Sequence, residues 1–268
     1  MHITMLGTGN ALVTECYNTC FVISDENEKN NFLVDGGGGN GVLHQLKHAG
    51  FELQDIQNIF VTHQHIDHLL GIIWIIIISA QLMNKNKFCG SLNIYSHDEV
   101  INLLYDITKK LLLPYQFDFI GRQIFLKTAN DKEELKIMDH DVKFFDIHSD
   151  RTKQYGFLME LDGGKKLTCC GDEPCSLECE SYVRKSDWLL HEAFCLHSQA
   201  EFFSPYEKHH STVKDTCELA ERLEVKNLLL YHTEDHNLKN RKELYEDEGR
   251  KYFSGNIFIP NDLEKIEL

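Results

Sequence analysis

Basic residues are scarce in this sequence. Its 27 lysines and arginines face 42 aspartates and glutamates, which gives a formal net charge of −15. A protein that binds nucleic acid by neutralising phosphates usually shows a basic footprint. Any such footprint must therefore be local here, and the candidate is LKNRKELYEDEGRKYF, residues 238–253. Because this segment also carries acids, it predicts either a few phosphate contacts or a solvated helix face.

The sequence also lacks the features of a membrane or exported protein. Its longest uncharged apolar run, residues 69–83, has 15 residues, whereas a membrane-spanning helix needs about 20. A buried helix is therefore predicted there. The first residues, MHITMLGTGN, show neither the basic nor the apolar region of a signal peptide. These observations predict a cytoplasmic protein with no membrane partner.

Paired C-x-x-C motifs are absent, although the sequence has nine cysteines. The densest group lacks the spacing of a structural zinc site, so we expect ordinary buried or surface thiols there. An odd number of cysteines without an export signal fits a reducing compartment. The members of this group are Cys169, Cys170, Cys175 and Cys179.

No linker rich in proline or serine and no repeat of 20–50 residues divides the chain, which predicts a single domain over residues 1–268. The glycine clusters GTGN and GGGGN match neither G-x-G-x-x-G nor a P-loop. Short apolar strands alternate loosely with helices, as in NFLVD followed by GVLHQLKHA, where Asn40 is the predicted N-cap. The pattern predicts an α/β domain in which helices cover stacked sheets.

Four side chains that can bind a metal lie within NIFVTHQHIDHLLG, residues 58–71. His63 and His65 are two positions apart, so they share one face of an extended segment. Asp67 and His68 follow on the turn before an apolar helix. Imidazole and carboxylate groups are the ligands that zinc prefers in hydrolytic sites. The pattern H-x-H-x-D-H therefore predicts a metal site.

A two-metal site needs more ligands than this cluster supplies, and later strand ends offer them. His148 ends the segment FFDIH, Asp172 follows the strand KLTCC, and His232 ends the strand NLLLYH. Because a rigid strand fixes the geometry of a ligand, we prefer these residues to their neighbours His140, Glu173 and His236.

With these residues in place, THQHIDH and its downstream ligands resemble the metallo-β-lactamase superfamily, over the span from MLGTGNA to LLLYH. The resemblance implies an α/β fold, the four-layer αββα metallo-β-lactamase sandwich, with two Zn²⁺ ions per chain at one edge of the sheets. Mn²⁺ or Fe suits the same donors. The resemblance assigns His63, His65 and His148 to the first metal, Asp67, His68 and His232 to the second, and Asp172 to both.

Two further motifs, LLHEAF and HHST, resemble those of ribonuclease Z and related phosphodiesterases. The resemblance implies that a hydroxide bridging the metals attacks a phosphodiester. It also implies that Asp67 orients this nucleophile and that His210 contacts the scissile phosphate or the leaving oxygen. In the same resemblance, Glu192 and His191 orient the metal ligands or His210. The residues alone leave simpler interpretations open. HEA could mark a buried strand end, and Ser211 or Thr212 could cap a helix.

The tRNA-processing enzymes of this branch carry a long arm that grips tRNA, and this sequence departs from them there. Only 24 positions separate His148 from Asp172, which leaves no room for that arm. The expected partner is therefore a phosphodiester-containing substrate, either RNA processed at its 3′ end or a smaller nucleotide. A homodimer is implied by the resemblance alone.

Other functions share parts of this pattern. A thioesterase or lactonase of the glyoxalase type uses the same ligand set but is disfavoured by HEA and HST. A diiron redox protein would prefer glutamate where His65 stands. The third alternative is a non-catalytic, metal-bound module that binds a nucleotide or nucleic acid.

Overall fold

The computed structural model describes residues 1–26 and 29–268. The chain divides into two compact units, and each is assembled from segments that are distant in sequence. Unit 1 comprises Met1–Gly7, Tyr17–Asn130 and Leu263–Leu268, and unit 2 comprises Thr8–Cys16 and Asp131–Asp262.

Unit 1 contains a seven-stranded mixed sheet. In chain order its strands are β1 His2–Gly7, β2 Cys20–Ser24, β3 Asn31–Val34, β4 Asn58–Phe60, β5 Leu92–Ser96, β6 Ile124–Thr128 and β14 Lys265–Glu267. Their spatial order is β14-β1-β2-β3-β4-β5-β6. Neighbours from β14 to β3 are antiparallel, and neighbours from β3 to β6 are parallel.

The helices of unit 1 are α1 Gly41–His48, α2 Ile66–Asn84, α3 Asp98–Leu111 and α4 Pro114–Phe117. Helix α3 is amphipathic, because Val100, Leu104 and Thr108 recur every four residues and are buried. Its first turn carries two acidic residues and its last turn two lysines, which complements the helix dipole. The chain therefore specifies both the ends and the buried face of α3.

Helix α2 confirms the predicted buried helix and is longer than the apolar run. It is the one helix in the described residues that is long and apolar enough to cross a membrane, and 61% of its apolar window is buried. Gly71 lets it pack on the glycine run after β3, since a Cβ there would lie 1.8 Å from the Gly36 carbonyl oxygen. The GGGGN cluster thus serves helix packing.

Unit 2 also contains a seven-stranded mixed sheet. Its strands are β7 Glu134–Ile137, β8 His140–Asp146, β9 Tyr155–Glu160, β10 Lys166–Cys169, β11 Trp188–Glu192, β12 Asn227–Tyr231 and β13 Asn256–Phe258. They are arranged in sequence order, antiparallel from β7 to β10 and parallel from β10 to β13. The antiparallel pair β9–β10 fills most of the interval between His148 and Asp172, where a long arm would have to be inserted.

The helices of unit 2 are α5 Glu180–Val183, α6 Ala200–Phe203, α7 Val213–Arg222 and α8 Arg241–Gly249. Thr212, and not Ser211, caps α7. Its backbone N–H donates to the Asp215 carboxylate at 2.9 Å, and its side-chain oxygen accepts from the Asp215 N–H at 3.4 Å. This reciprocal pair is a capping box, and it fixes the helix that begins directly after HST.

Two local expectations hold only in part. Asn40 is the N-cap residue of α1, as predicted, but its side chain makes no capping hydrogen bond. Within the basic segment 238–253, Lys239, Lys242 and Lys251 are exposed, whereas Arg241 is fully buried. Its guanidinium donates to the Thr233 hydroxyl at 2.6 Å, the Thr8 hydroxyl at 3.1 Å and the Pro260 carbonyl at 2.7 Å. Arg241 therefore holds three segments of unit 2 together.

Candidate metal centre

The histidine cluster of unit 1 lies where β4 leads into α2. The strand ends at Phe60, and His65 is the extended N-cap residue of the helix. Asp67 and His68 belong to the first helical turn, which places them more rigidly than the loop position expected from the sequence. A carboxylate in this turn is also favoured by the helix dipole.

Asp35 and Thr62 fix the protons of two histidines in this cluster. The Asp35 carboxylate accepts the Thr62 hydroxyl at 2.9 Å and His68 Nδ1 at 2.8 Å. Because the Thr62 proton is directed to Asp35, the Thr62 oxygen accepts from His63 Nδ1 at 2.9 Å. His63 and His68 therefore each carry their proton on Nδ1, so that Nε2 is the nitrogen able to bind a metal.

The candidate ligand atoms of unit 1 converge. His63 Nε2 lies 2.7 Å from His65 Nδ1, and His68 Nε2 lies 3.3 Å from the Asp67 carboxylate. His63, Asp67 and His68 are buried. Three imidazoles and one carboxylate with this orientation suit Zn²⁺, Mn²⁺ or Fe, so the donors that the structure brings together fit a metal.

Sequence reasoning missed Asp35. It directly follows β3, adopts a left-handed backbone with φ of 58°, and is buried. The signal was an acidic residue between an apolar strand and a glycine run, in NFLVDGGGG. An acid at that position can reach the neighbouring parallel strand end, and here it receives the Thr62 N–H at 2.8 Å.

Asp172 and His232 come together in unit 2. The buried Gln154 donates its amide to one Asp172 carboxylate oxygen at 2.5 Å, and the other oxygen lies 3.5 Å from His232 Nε2. Gly171 permits this arrangement because it has φ of +77° and a Cβ there would lie 2.6 Å from the Gln154 amide nitrogen. Gln154 was also missed, since a lone glutamine carries no pattern.

His148 follows β8 but lies apart from this pair. Its backbone has φ of 59°, its side chain is exposed, and its N–H donates to Asp146 at 2.8 Å. Among the described residues of unit 2, no contact joins its imidazole to Asp172 or His232. It lines a cavity of about 250 Å³ together with His210, so its assignment as a ligand stays a prediction.

The three residues that were not preferred as ligands, His140, Glu173 and His236, have other partners in unit 2. His140 bonds the Glu160 carbonyl at 3.0 Å, at the end of β8 away from His148. Glu173 accepts from the Ser149 hydroxyl at 2.9 Å, and burial raises its pKa. His236 is exposed and lies beside the ring of Phe202, with 5.6 Å between the ring centroids.

His210 is held beside Asp172 and His232. Its Nδ1–H donates to the Asp172 carbonyl at 2.8 Å. Its ring stacks on Phe194 at 5.0 Å and lies 5.0 Å from the His232 ring, centroid to centroid. Burial, followed by the neighbouring His232, lowers the pKa of His210 to about 3. A neutral imidazole with its Nδ1 proton engaged has Nε2 as an acceptor, and it donates from Nε2 only when a second proton is bound.

Glu192 supports the HST turn from the end of β11. It is fully buried, accepts the Ser211 N–H at 2.6 Å, and has its second oxygen 3.7 Å from His210 Nδ1. Burial raises its pKa. The preceding His191 has both nitrogens bonded, to the Glu192 carbonyl at 2.8 Å and to the Cys175 N–H at 3.1 Å. Burial lowers the pKa of His191 to about 4.

All nine cysteines are free thiols, as expected. In the cluster after β10, three are buried and Cys175 is half-buried. The hydrogen bond to Cys175, followed by burial, raises the pKa of Cys170. A protonated thiol is a poor metal ligand, so these residues contribute packing next to the Asp172 loop.

The comparisons with known proteins decide the family. Residues 1–253 match the family model described as anti-Pycsar protein Apyc1. The chain belongs to the Apyc1 family. A ribonuclease Z of Shouchella clausii is similar to this Apyc1-family chain, with 25% identity over 100% of the chain and 97% of that protein.

Solved structures show the same fold as this Apyc1-family chain. The metallo-β-lactamase fold protein YhfI from Bacillus subtilis has 18% identity and a TM-score of 0.79, with 98% of each chain covered. Human tRNase Z, short form, has 19% identity and a TM-score of 0.74, with 100% of this chain and 99% of that chain covered. The predicted metallo-β-lactamase sandwich and ribonuclease Z-like branch are confirmed, whereas the Apyc1 family was not anticipated from the sequence.

Proposed function

We propose that this Apyc1-family chain is a metal-dependent phosphodiesterase of the ribonuclease Z type. The observation that carries the proposal is the Asp35–Thr62 arrangement, because it fixes the tautomers in which His63 and His68 present Nε2 as ligands. The ribonuclease Z from Shouchella clausii and human tRNase Z support the reaction class.

The proposed centre belongs to one hydrolase domain of 268 residues. Two ions require more ligands than the His63–His68 cluster supplies. The proposed cofactor is two Zn²⁺ ions per chain, and Mn²⁺ or Fe also fits the imidazole and carboxylate donors. The proposed assignment is His63, His65 and His148 for one ion, Asp67, His68 and His232 for the other, and Asp172 for both.

The residues around the centre have distinct proposed roles. When bound, the ions supply Lewis acidity and lower the pKa of water. Asp67, rigid in the first turn of α2, orients the attacking oxygen. His210 contacts the scissile phosphate or the leaving oxygen, since the Asp172 carbonyl and the Phe194 ring fix its imidazole. Glu192 is a positioning residue that acts through Ser211.

The proposed substrate is a nucleotide phosphodiester, either in RNA or in a smaller molecule. The β9–β10 pair occupies the place of a long arm, and the net charge is −15, so phosphate binding must be concentrated near the centre. Nine free thiols support a cytosolic setting. The homodimer stays a proposal based on the family resemblance.

Hydrolysis of bis(p-nitrophenyl) phosphate tests this function. Purified protein is reconstituted separately with Zn²⁺ and Mn²⁺, and bound metal is measured by mass spectrometry alongside turnover. We expect turnover with at least one ion, and we expect His65→Ala to lose both metal and turnover. Cys217→Ser, a buried site in α7 outside the centre, serves as the control for folding.

The outcomes separate the competing functions. The protein could bind two ions and hydrolyse a glutathione thioester or a lactone but no phosphodiester. That result would replace the proposal by the hypothesis of a glyoxalase-type thioesterase or lactonase. Two bound ions with no ester turnover and tight nucleotide binding would indicate the non-catalytic module. Undiminished turnover in His65→Ala would remove the ligand assignment.

A further inference from the structure

An exposed aromatic side chain stands out in unit 2. Phe202, in the short helix α6, is 72% exposed. Its ring lies 5.6 Å from that of His236 and 4.8 Å from that of Phe203, centroid to centroid. A large apolar ring left this open contributes little to folding, while its flat face is available to a ligand.

A series of rings connects Phe202 to the candidate centre. His210 lies 5.0 Å from His232, Phe194 stacks 5.0 Å from His210, and Phe203 lies 6.2 Å from Phe194. The packing is continuous within unit 2, so the position of Phe202 is fixed relative to the residue proposed to contact the phosphate.

The neighbouring side chains of this segment are engaged in the fold. Pro205 is buried. Tyr206 donates its hydroxyl to the Asp215 carboxylate at 2.9 Å and lies 3.3 Å from His197 Nδ1, so it braces the start of α7. Phe202, which is 72% exposed against 54% for Tyr206, is therefore the more open aromatic face in this segment.

Positive charge accompanies the rings. The Lys208 ammonium lies 4.8 Å from the centre of the Phe194 ring and donates to the Phe203 carbonyl at 2.8 Å. The Arg151 guanidinium donates to the Lys208 carbonyl at 2.8 Å. Proteins that hold single-stranded nucleotides combine aromatic stacking platforms with such cations. In a chain of net charge −15, Lys208 and Arg151 place positive charge beside these rings.

Two cavities border the segment. One, of about 250 Å³, is lined by His148, Tyr206 and His210. The other, of about 370 Å³, is lined by His236, Asn237 and Lys239. Phe202 contacts His236, so a flat group on the Phe202 ring would have polar partners for its edge at the second cavity.

We propose that Phe202, with His236, forms a stacking platform for a nucleobase of the substrate. The proposal rests on the proposed phosphodiesterase function, which brings a phosphate to His210. The base belongs either to the nucleotide being cleaved or to its neighbour along a strand. Either base presents the same flat face to Phe202. The two cases are distinguished by whether the affinity for a mononucleotide or only the affinity for a strand depends on Phe202.

The test is equilibrium binding, which does not depend on turnover. Fluorescence anisotropy follows a labelled six-nucleotide 2′-O-methyl phosphorothioate strand bound by the metal-loaded protein, and an unlabelled 5′-mononucleotide is the competitor. We expect Phe202→Ala to weaken binding roughly tenfold, Phe202→Leu to resemble Phe202→Ala, and Phe202→Trp to bind at least as well as the wild type. Leu177→Ala, at a position 80% exposed in the same unit, is the matched control.

Each outcome decides a specific point. Weakening for the strand alone places the base on a neighbouring nucleotide, and weakening for both ligands places it on the nucleotide at the centre. Equal affinity of Phe202→Ala and the wild type, equal affinity of Phe202→Leu and the wild type, or no binding by the wild type would overturn the platform. Turnover of bis(p-nitrophenyl) phosphate by the same wild-type sample reports separately on the proposed function.

Discussion

The two units collect their candidate ligands in different ways. In unit 1 the donors lie within six consecutive positions, from His63 to His68, at one junction between strand and helix. In unit 2 the pair Asp172 and His232 comes from loops 60 positions apart. Both sets lie beyond the carboxyl end of a parallel strand, β4 in unit 1 and β10 or β12 in unit 2.

Their supporting groups differ as well. In unit 1 a carboxylate, Asp35, fixes the histidine tautomers through Thr62. In unit 2 a neutral amide, Gln154, holds Asp172, and a backbone carbonyl holds His210. The comparison teaches that a ligand set can be local in sequence or assembled by sheet topology and still need one buried orienting partner.

The largest expected difference between the units is whether a substitution removes the bound metal or lowers only kcat. Asp67→Ala in unit 1 should lose metal and turnover together. His210→Ala in unit 2 should lower kcat by about 10²–10³-fold with metal content unchanged, because it removes the proposed contact with the scissile phosphate or the leaving oxygen. Steady-state kinetics and metal analysis on the same samples make the measurement. Loss of metal from His210→Ala would assign His210 a structural role.

The next largest effect concerns stability in acid, which should distinguish unit 2. The pKa of His191 is lowered to about 4, while its value in the unfolded chain is about 6.5. Between these pH values the unfolded state binds a proton that the folded state does not. The contribution of His191 to the free energy of unfolding is therefore fully present above pH 6.5, and it is lost as the pH falls towards 4. The loss should approach about 3 kcal/mol.

The two tryptophans allow this acid effect to be measured by unit. Trp188 is buried in β11 of unit 2, and Trp74 lies on α2 of unit 1. In Trp74→Phe, denaturant titrations followed by fluorescence report the surroundings of Trp188 alone. Adding His191→Gln should reduce the slope between pH 4 and 6.5 by the share of one proton, because His210, whose pKa is also lowered, still contributes. An unchanged slope would attribute the acid sensitivity to groups other than His191.

A smaller effect compares the orienting partners. Asp35→Asn places an amide where acceptors are needed for Thr62 and His68, and it should weaken metal binding by about 10–100-fold. Gln154→Ala removes one neutral hydrogen bond to Asp172 and should weaken metal binding less. Competition with a chromophoric chelator measures both affinities. A larger loss of metal affinity in Gln154→Ala than in Asp35→Asn would show that metal binding depends more on Gln154 than on Asp35.

The smallest effect concerns helix capping. Thr212→Ala in unit 2 should lower the free energy of unfolding by about 1 kcal/mol, because it removes the cap of α7. Asn40→Ala in unit 1 should leave the stability nearly unchanged, since the Asn40 side chain makes no capping bond. Urea titrations of the two variants provide a matched pair, and equal losses would contradict the assigned caps.

Sequence patterns predicted the elements whose side chains are buried in a regular way. The predicted strand NLLLYH corresponds to β12, Asn227–Tyr231, with four of its five residues buried. Strands β6, β7, β13 and β14 have no counterpart among the predicted strands. Strands β7 and β14 lie at sheet edges and each bury one residue, so no apolar period marks them. Strand β14 pairs with β1, which is distant in sequence, whereas β7 forms a hairpin with β8, the next strand along the chain.

The candidate site was predictable to the extent that its chemistry is concentrated in sequence. The cluster from His63 to His68 has a spacing that few folds would produce by chance. Asp35 and Gln154 contribute through single contacts that depend on which strands are adjacent. Arg241 was interpreted from its charge, although its hydrogen bonds bury it. Pattern alone cannot distinguish such a residue from a solvated one.

The pairing of β14 with β1 has a consequence for synthesis on the ribosome. His2–Thr4 pair with Lys265–Glu267, so one edge of β1 stays without its partner until nearly the whole chain has emerged. At about 5–20 residues per second, that interval is roughly 10–50 seconds. An open strand edge can associate with other chains. Strand β2 covers only the other edge of β1, so the edge that faces β14 stays open to such association until residues 265–267 have been made.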